Sequence, residues 1–190
     1  MTWRLAKSLD KLRAEVNDLF PGRSKVSDGT IGDAAHATRT SDHNPWVKDG
    51  TTGIVTAIDI TEDAERGIPE IADFIVSTLV ERRDPRVKYI IHEGRIWRSY
   101  DKPGIPAWTS APYTGTNGHF KHVHVSVQPE KVRYDSLDSW GLEAAFREAM
   151  APKATRVTRA RELLTAALKA TTNTTRKTRI RAGLAALPKR

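Results

Sequence analysis

The sequence contains no cysteine, which excludes disulfide bonds, cysteine-based zinc sites and a cysteine nucleophile. It also lacks any run approaching the roughly 18 apolar residues that cross a membrane. The charged N-terminal segment 1–16 has no apolar core, so we expect a chain made in the cytoplasm without a signal peptide. A metal site in this chain would have to use His together with Asp or Glu.

Acidic residues are nearly absent from one end of the chain. Residues 151–190 hold eleven Lys or Arg and one acidic residue, a net charge of +10, whereas residues 1–150 hold 20 basic and 22 acidic groups. The segments 158–169 and 178–189 resemble each other at an offset of 20 residues. This pattern predicts a basic helical hairpin over 151–190, with a solvated tail as the alternative.

Hydrophobic patterning predicts an α+β body over residues 1–150. The expected architecture is a small antiparallel sheet backed by helices, with a long loop over 101–118. Apolar residues at helical spacing predict helices over 5–19, 68–82 and 137–150. Runs of β-branched and apolar residues predict strands over 54–60, 87–91, 95–98 and 122–127.

Three of the six histidines lie between His119 and His124. The segment from His122 alternates like a strand, so the side chains of His122 and His124 project to the same face. Two imidazoles on one face can begin a transition-metal site or hold a proton, although an isolated pair of this kind is as often an exposed strand.

Two further elements precede these histidines: His43, which follows Ser41, and Asp59 inside an apolar strand. A carboxylate in such a strand is costly unless it is paired or binds a cation. With His124 they could form a His2Asp set with one open position, the composition of a catalytic zinc site. Asp49 is the alternative candidate for the carboxylate ligand. Its Lys-Asp-Gly setting is typical of a turn, and we favour that interpretation of Asp49.

The Ser-x-His, Ala-x-Asp-Ile and His-x-His elements occur here in this order. With them, the chain resembles the M15 zinc peptidases of the hedgehog/DD-peptidase fold, which act on peptidoglycan in bacteria and phages. The spacing His119-x-x-His122-x-His124 is similar to that of the LAS-type murein endopeptidases. The resemblance covers roughly residues 20–130.

The resemblance implies a role for each matching residue. His43, Asp59 and His124 would be Zn²⁺ ligands, and His122 would exchange the proton, with His119 as the second candidate. It further implies substrate-binding roles: Ser41 would orient a ligand or a substrate carbonyl, and Arg39 would bind a substrate carboxylate or the oxyanion.

Two features depart from the family pattern. Fifteen residues, 44–58, separate His43 from Asp59, more than the usual spacing, so we interpret 44–52 as an inserted loop. Many members carry a Glu general base three residues before the last His, where this chain has Lys121. The identity of the base therefore cannot be carried over.

The implied organisation is a zinc peptidase domain over 1–150 and a basic hairpin or tail over 151–190. The implied function is hydrolysis of an amide bond in the stem peptide or cross-link of peptidoglycan, by an endopeptidase, which we slightly favour, or by a D,D-carboxypeptidase. A phage endolysin, released through a membrane lesion, or a virion-associated wall enzyme would fit. Alternatives are a non-catalytic zinc-containing wall-binding module and a structural phage protein.

The basic segment 151–190 is expected to attract anionic wall polymers or a membrane surface. Nucleic acid is not an expected partner, because this segment has no aromatic residue to stack on bases. Away from the motifs, His92 beside Glu93 is interpreted as structural, and Glu62 with Asp63 as a signal for the start of a helix.

Overall fold

The structure is a computed structural model that describes residues 2–32, 40–63, 70–171 and 174–188. The chain divides into two compact units, Met1–Glu143 and Ala144–Arg190. The strands are β1 Trp3–Leu5, β2 Val47–Asp49, β3 Thr52–Val55, β4 Ala57–Thr61, β5 Val87–His92, β6 Arg95–Arg98, β7 Ala111–Pro112 and β8 His122–Val127. The helices are α1 Lys7–Leu19, α2 Ile71–Arg82, α3 Lys131–Tyr134, α4 Leu142–Met150, α5 Lys153–Ala170 and α6 Thr174–Ala186.

The strands of the first unit form two sheets. Five strands pair antiparallel in the order β4-β8-β5-β6-β7, and β1, β3 and β2 form a smaller sheet in which β1 runs parallel to β3. The α+β class predicted from the sequence is confirmed. The expectation of one sheet is wrong, since the strands are divided between two.

The predicted strand 54–60 is interrupted at Thr56. Val55 ends β3 in the smaller sheet, and Ala57 begins β4 in the larger one. At the junction the Thr56 N–H donates to the Asp42 carbonyl, and the Thr56 carbonyl accepts from the Val127 N–H. The continuous apolar segment 54–60 therefore contributes strands to two sheets, because the backbone N–H and carbonyl of Thr56 form hydrogen bonds outside the smaller sheet.

The spacing between His43 and Asp59 is filled by a β-hairpin rather than by the predicted loop. Strand β2 pairs antiparallel with β3, and Gly50 in the connecting turn has a φ of +60°. That conformation is one that glycine adopts without a Cβ penalty. The residues inserted between His43 and Asp59 thus form a hairpin at the edge of the smaller sheet, and the chain then continues into β4.

The core of the first unit lies between the larger sheet and its helices. Helix α1 buries Leu9, Leu12 and Val16 completely, and α2 buries Ile75 and Leu79. Burial of each such side chain contributes roughly 1.5–3 kcal/mol. The helices cover one face of the sheet and leave its other face to the polar groups described below.

Two predicted helices have different bounds. Leu5 belongs to β1, so the first helix begins at Lys7, and the predicted closing helix over 137–150 begins only at Leu142. The residues before Leu142 are held by the buried Trp140, whose ring lies 3.7 Å from the Arg86 guanidinium carbon. Of the predicted helix 68–82, residues 68 and 69 lie outside the described residues.

The second unit contains helices α5 and α6, which pack against each other. The Ile180 side chain is buried there, and most other described side chains of α6 are exposed or half-buried. Within the described part of the chain, no helix combines the length and apolar character that a membrane crossing requires.

Candidate metal centre

Strand β8 presents a row of polar side chains in an otherwise apolar segment. His122, His124 and Ser126 alternate with three fully buried valines. Because side chains alternate along a strand, the three polar groups share one face of the sheet. The register with β4 places Asp59 directly opposite His124, so the carboxylate lies on the same face as these groups.

His43 reaches the same point from a loop. Its Nδ1 lies 2.7 Å from the Thr30 carbonyl oxygen. A carbonyl only accepts hydrogen bonds, so Nδ1 carries a proton, and in the neutral ring Nε2 keeps a lone pair. That lone pair faces His124 and Asp59. A backbone carbonyl that fixes the tautomer in this way is the usual partner of a metal-binding histidine.

Three donor atoms converge where His43, Asp59 and His124 meet. His43 Nε2 lies 3.1 Å from His124 Nδ1 and 3.3 Å from Asp59 Oδ1, and the last two atoms are 3.0 Å apart. Tetrahedral bonds of about 2.0 Å to one ion would separate neighbouring ligands by about 3.3 Å. These residues, called the His43 group below, therefore fit a metal ion at their centre.

The residues of the His43 group are held from behind. His124 Nε2 lies 2.9 Å from Ser126 Oγ, and the Tyr89 ring stacks on the His124 imidazole at 5.5 Å. Asp59 is fixed through its backbone, since its N–H and carbonyl both bond to Gly29. A Cβ at Gly29 would lie 3.1 Å from Asp59 Oδ2, so glycine permits this close approach.

The loop that carries Gly29 and Thr30 is anchored by an ion pair. Arg23, whose side chain is fully buried, forms two hydrogen bonds of 2.8 and 2.6 Å with the Asp28 carboxylate. Asp28 also accepts hydrogen bonds from the backbone and hydroxyl of Thr61 at the end of β4. The loop and the strand of Asp59 are thereby tied together.

A second pair of histidines approaches Asp59 from its other oxygen. His122 Nε2 lies 3.7 Å from Asp59 Oδ2, and the rings of His122 and His119 meet edge to face at 4.9 Å. His122 Nε2 and His119 Nδ1 are buried and have no hydrogen-bond partner among the described residues. With Asp59 these residues, called the His119 group below, could also hold a metal ion.

His119 has an unusual backbone. Its φ is +56°, a left-handed conformation that costs a residue with a Cβ roughly 1–2 kcal/mol. The His119 N–H donates to Asn117 Oδ1 at 3.0 Å, which helps to hold this conformation. Strain of this kind is concentrated at functional sites, and here it turns the imidazole towards His122 and His124.

The charges of the site respond to burial and to one another. Burial lowers the pKa of His119 to about 4, and the nearby His124 and His122 act in the same direction. Burial also lowers the pKa of His122. For Asp59, burial alone would raise the pKa, but hydrogen bonds with His124 and His43 outweigh it and hold that pKa well below its usual range.

For His43 the balance runs the other way: burial lowers its pKa, but the hydrogen bond and charge of Asp59 outweigh burial, so the net shift is upward. The Asp59 carboxylate thus stays ionised, with His43 and His124 at Oδ1 and His122 at Oδ2. A metal ion that bound here would meet one negative charge and neutral imidazole donors once His43 has lost its proton.

The site opens into a cavity of about 280 Å³. Its wall is polar on the loop side, where Ser41, Thr116 and Asn117 lie, and aromatic where Tyr89 and Tyr113 lie. The imidazoles of His43, His119 and His124 also line it. A small polar ligand can therefore reach the donor atoms from outside.

The structure brings together His43, Asp59, His119, His122 and His124, as the sequence motifs predict. Ser41 lines the cavity, and its Oγ accepts a hydrogen bond of 3.3 Å from the His43 N–H. Arg39 lies outside the described residues. Asp49, the competing carboxylate, is paired with Arg4 and Lys131 and belongs to none of the metal-binding groups found among the described residues.

Sequence reasoning missed the supporting residues Thr30, Gly29, Tyr89 and Ser126. Ser126 could have been found, because it continues the alternation of His122 and His124. The other three could not, since they reach the site from segments that no motif connects to it.

No family model, curated protein or solved structure matches this chain. The interpretation of the centre rests on its own donor atoms. The His and Asp groups described above could bind a metal ion, and two imidazoles with one carboxylate suit a divalent transition metal better than Mg²⁺ or Ca²⁺.

Proposed function

We propose that this protein is a zinc-dependent peptidase of the hedgehog/DD-peptidase type that hydrolyses an amide bond in peptidoglycan, as a phage cell-wall lysis enzyme would. The observation that carries the proposal is the convergence of His43 Nε2, Asp59 Oδ1 and His124 Nδ1 within 3.3 Å of one another. These atoms lie in a cavity that His119 also lines, and the buried Nδ1 of His119 has no hydrogen-bond partner among the described residues.

The His43 group would hold the ion. Zn²⁺ bound by three protein ligands polarises a carbonyl and brings the pKa of water towards 7. Asp59 supplies the negative charge that the cation requires. Thr30 and Ser126 fix the ring orientations of His43 and His124, so the ligand atoms do not have to reorganise when the ion binds.

The His119 group would move the proton. Burial lowers the pKa of both His122 and His119, so each ring is neutral at physiological pH and able to accept a proton. The acceptor would take the proton from attacking water and give it to the leaving amine. Lys121, at the position of the family's Glu base, is exposed and is not part of the cavity wall.

The size and polarity of the cavity support a short peptide as the substrate. A volume of about 280 Å³ lies at the small end of ligand sites. Ser41, Thr116 and Asn117 offer donors and acceptors to peptide groups. We propose a stem peptide or cross-link as the substrate and an endopeptidase as the activity, both from the family resemblance.

The second unit would add attraction to the wall. Its helices α5 and α6 carry most of the eleven basic residues of 151–190. Such a surface attracts anionic wall polymers or a membrane surface, and the attraction weakens as salt screens it. This role requires no contact with the cavity and can fail without affecting the chemistry.

Purified peptidoglycan provides the direct test. The wild type should release new amino groups, lose this activity on treatment with a chelator, and recover it when Zn²⁺ is added. The double variant H119A/H122A should keep its zinc and release no amines, because both proton acceptors are gone. A wild type that binds the wall and releases no amines would instead be a non-catalytic wall-binding module.

A further inference from the structure

A second cluster of metal-binding side chains lies on the other face of the larger sheet. Alternation along β5 places Tyr89 and Ile91 on the face of the cavity, so His92 points to the opposite face. Glu62 follows Thr61 at the end of β4 and continues the pairing there, since its N–H donates to the Lys121 carbonyl. Glu62, His92 and Glu93 bring three donor atoms within 4.8 Å of one another.

His92 is the member that cannot be explained by packing alone. It is 2% exposed, and its Nε2 has no hydrogen-bond partner within the described part of the chain. Its Nδ1 lies 3.3 Å from the His122 carbonyl oxygen. That oxygen can only accept, so Nδ1 is the donor, and Nε2 is the ring nitrogen that faces the carboxylates.

The Nε2 atom of His92 faces carboxylate oxygens without reaching a hydrogen bond to either of the two nearest. The Nε2 atom is 3.8 Å from Glu62 Oε1 and 3.7 Å from Asp73 Oδ1. Hydrogen bonds of this type are about 2.7–3.2 Å long. By contrast, two metal bonds of about 2.0–2.2 Å in tetrahedral geometry place ligand atoms about 3.3–3.6 Å apart, within a few tenths of an ångström of these distances. The spacing suits a shared cation.

Negative charge accumulates around this nitrogen. Burial raises the pKa of the Glu62 carboxyl, and Glu70 and Glu93 raise it further, so that together they outweigh the lowering effect of His92. Asp73 adds another carboxylate from the first turn of α2. A divalent cation would remove the repulsion among these groups, as bound cations do where several carboxylates meet.

The backbone of Glu93 is also unusual. His92 ends β5 and Arg95 begins β6, so Glu93 and Gly94 form a two-residue turn with φ values of +45° and +68°. Such turns favour Asn, Asp or Gly at the first position. Here a glutamate occupies it, at a cost in backbone strain, and places a carboxylate beside His92.

We propose that Glu62, His92 and Glu93 form a second site for a divalent first-row transition metal ion, separate from the cavity. The ion would join the end of β4 to the turn between β5 and β6. The Glu93 N–H donates to the His119 carbonyl, so the same ion would also stiffen the segment that carries His119. This inference does not depend on the proposed peptidase activity.

Zinc stoichiometry tests the second site directly. The full chain is stripped with a chelator, dialysed against Zn²⁺ alone, and its metal content is measured. We expect two equivalents in the wild type, one in E62Q/E93Q and one in H92Q. E81Q removes an exposed acid from α2 and should retain two. D59N should keep the zinc ion that is bound by Glu62, His92 and Glu93.

Fold integrity is measured in the same samples by circular dichroism, because His92 is buried and its replacement can unfold the chain. E62Q/E93Q avoids this difficulty, since it leaves His92 in place. If E62Q/E93Q and E81Q bind as much zinc as the wild type, the second site does not exist and His92 is only an ion-pairing residue. Failure of the peptidase would appear separately, as missing amine release with both zinc equivalents present.

Discussion

The two oxygens of Asp59 face histidines that differ in how they are held. On the Oδ1 side, the rings of His43 and His124 are fixed by Thr30 and Ser126. On the Oδ2 side, His122 Nε2 and His119 Nδ1 lack hydrogen-bond partners among the described residues. Imidazole rings with a fixed orientation are suited to binding a metal ion, and imidazole nitrogens without a partner are suited to proton transfer. We therefore assign metal binding to the Oδ1 side of Asp59 and proton transfer to its Oδ2 side.

Loss of a ligand should have the largest effect. His43→Ala removes Nε2 from the His43 group, so we expect the chain to lose one equivalent of zinc and its amine-releasing activity to fall to background. Metal analysis and a wall-hydrolysis assay on the same sample check both effects. Full retention of zinc in H43A would show that the His119 group binds the ion, and the roles assigned to the two sides of Asp59 would be exchanged.

Loss of the proton acceptor should have a smaller and different effect. His122→Ala should leave the zinc content unchanged and lower the rate by about 10²–10⁴-fold, the usual contribution of general acid–base catalysis. The matched variant H119A identifies the base, since the larger rate loss marks the residue that accepts the proton. Zinc loss in H122A would show that this ring is a ligand.

The ion pair beneath the site should affect stability more than chemistry. Asp28→Asn removes the carboxylate that pairs with the buried Arg23 and leaves the hydrogen bonds from Arg23 to Asn17 and Ser24. Because a buried charge loses its counterion, we expect the free energy of unfolding to fall by about 3 kcal/mol. Denaturant titration measures the change, and D18N, an exposed acid on α1, is the control. A loss no larger than that of D18N would show that the pair does not anchor the loop.

The same pair predicts a pH dependence. Burial opposes ionisation of Asp28, but hydrogen bonds from Arg23 and Thr61 outweigh it and lower its pKa in the folded state. The stabilisation is therefore present above the unfolded pKa of about 3.9 and is lost as pH falls through the folded pKa. The stability difference between wild type and D28N should be constant above about pH 5 and should shrink below about pH 4, as the pH falls through the folded pKa of Asp28.

The hydrogen bond behind His124 should have a moderate effect. Ser126→Ala removes the partner of Nε2 at 2.9 Å, and the loss of such a group typically weakens metal binding by about 10–100-fold. A zinc titration against a competing chelator measures the affinity. S136A, which lies outside the cavity wall, should bind as tightly as the wild type, and equal affinity for both variants would contradict the role of Ser126.

The basic second unit should give the smallest effect. Arg179 and Arg181 are exposed on α6, and R179E/R181E should weaken binding to purified wall by up to about tenfold, because each exposed charge contributes about 1 kcal/mol or less. The difference should shrink as salt rises. The control K7E/K25E makes the same charge change in the first unit. An equal loss of wall binding in this control would show that net charge alone, and not the position of the charges, is responsible.

Much of the candidate site could be predicted from local sequence. Strand alternation is a property of consecutive residues, so the shared face of His122 and His124 follows from their spacing. Asp59 was identifiable because a carboxylate in an apolar strand needs a partner. The pairing of Asp59 with His124 could not be derived from either strand alone, because register depends on contacts distant in sequence.

The rest depended on information that single segments do not contain. The interruption at Thr56 is invisible in a continuous apolar run, since it is set by hydrogen bonds to Asp42 and Val127. Residues 44–52 lacked the pattern of a strand, yet Val47–Asp49 within them pair with β3 at the edge of the smaller sheet. His92 was interpreted as structural because Glu62 is distant in sequence and adjacent only in the fold.

The role of Asp59 at the metal site is tested most directly by comparing it with Asp49. Zinc content and amine release from purified wall are measured for wild type, D59N and D49N. If Asp59 both binds the metal ion and contacts the histidines that transfer the proton, D59N should lose one zinc equivalent and all amine release. D49N should retain both. Retained zinc and activity in D59N, with loss of both in D49N, would contradict the assignment and place the metal elsewhere.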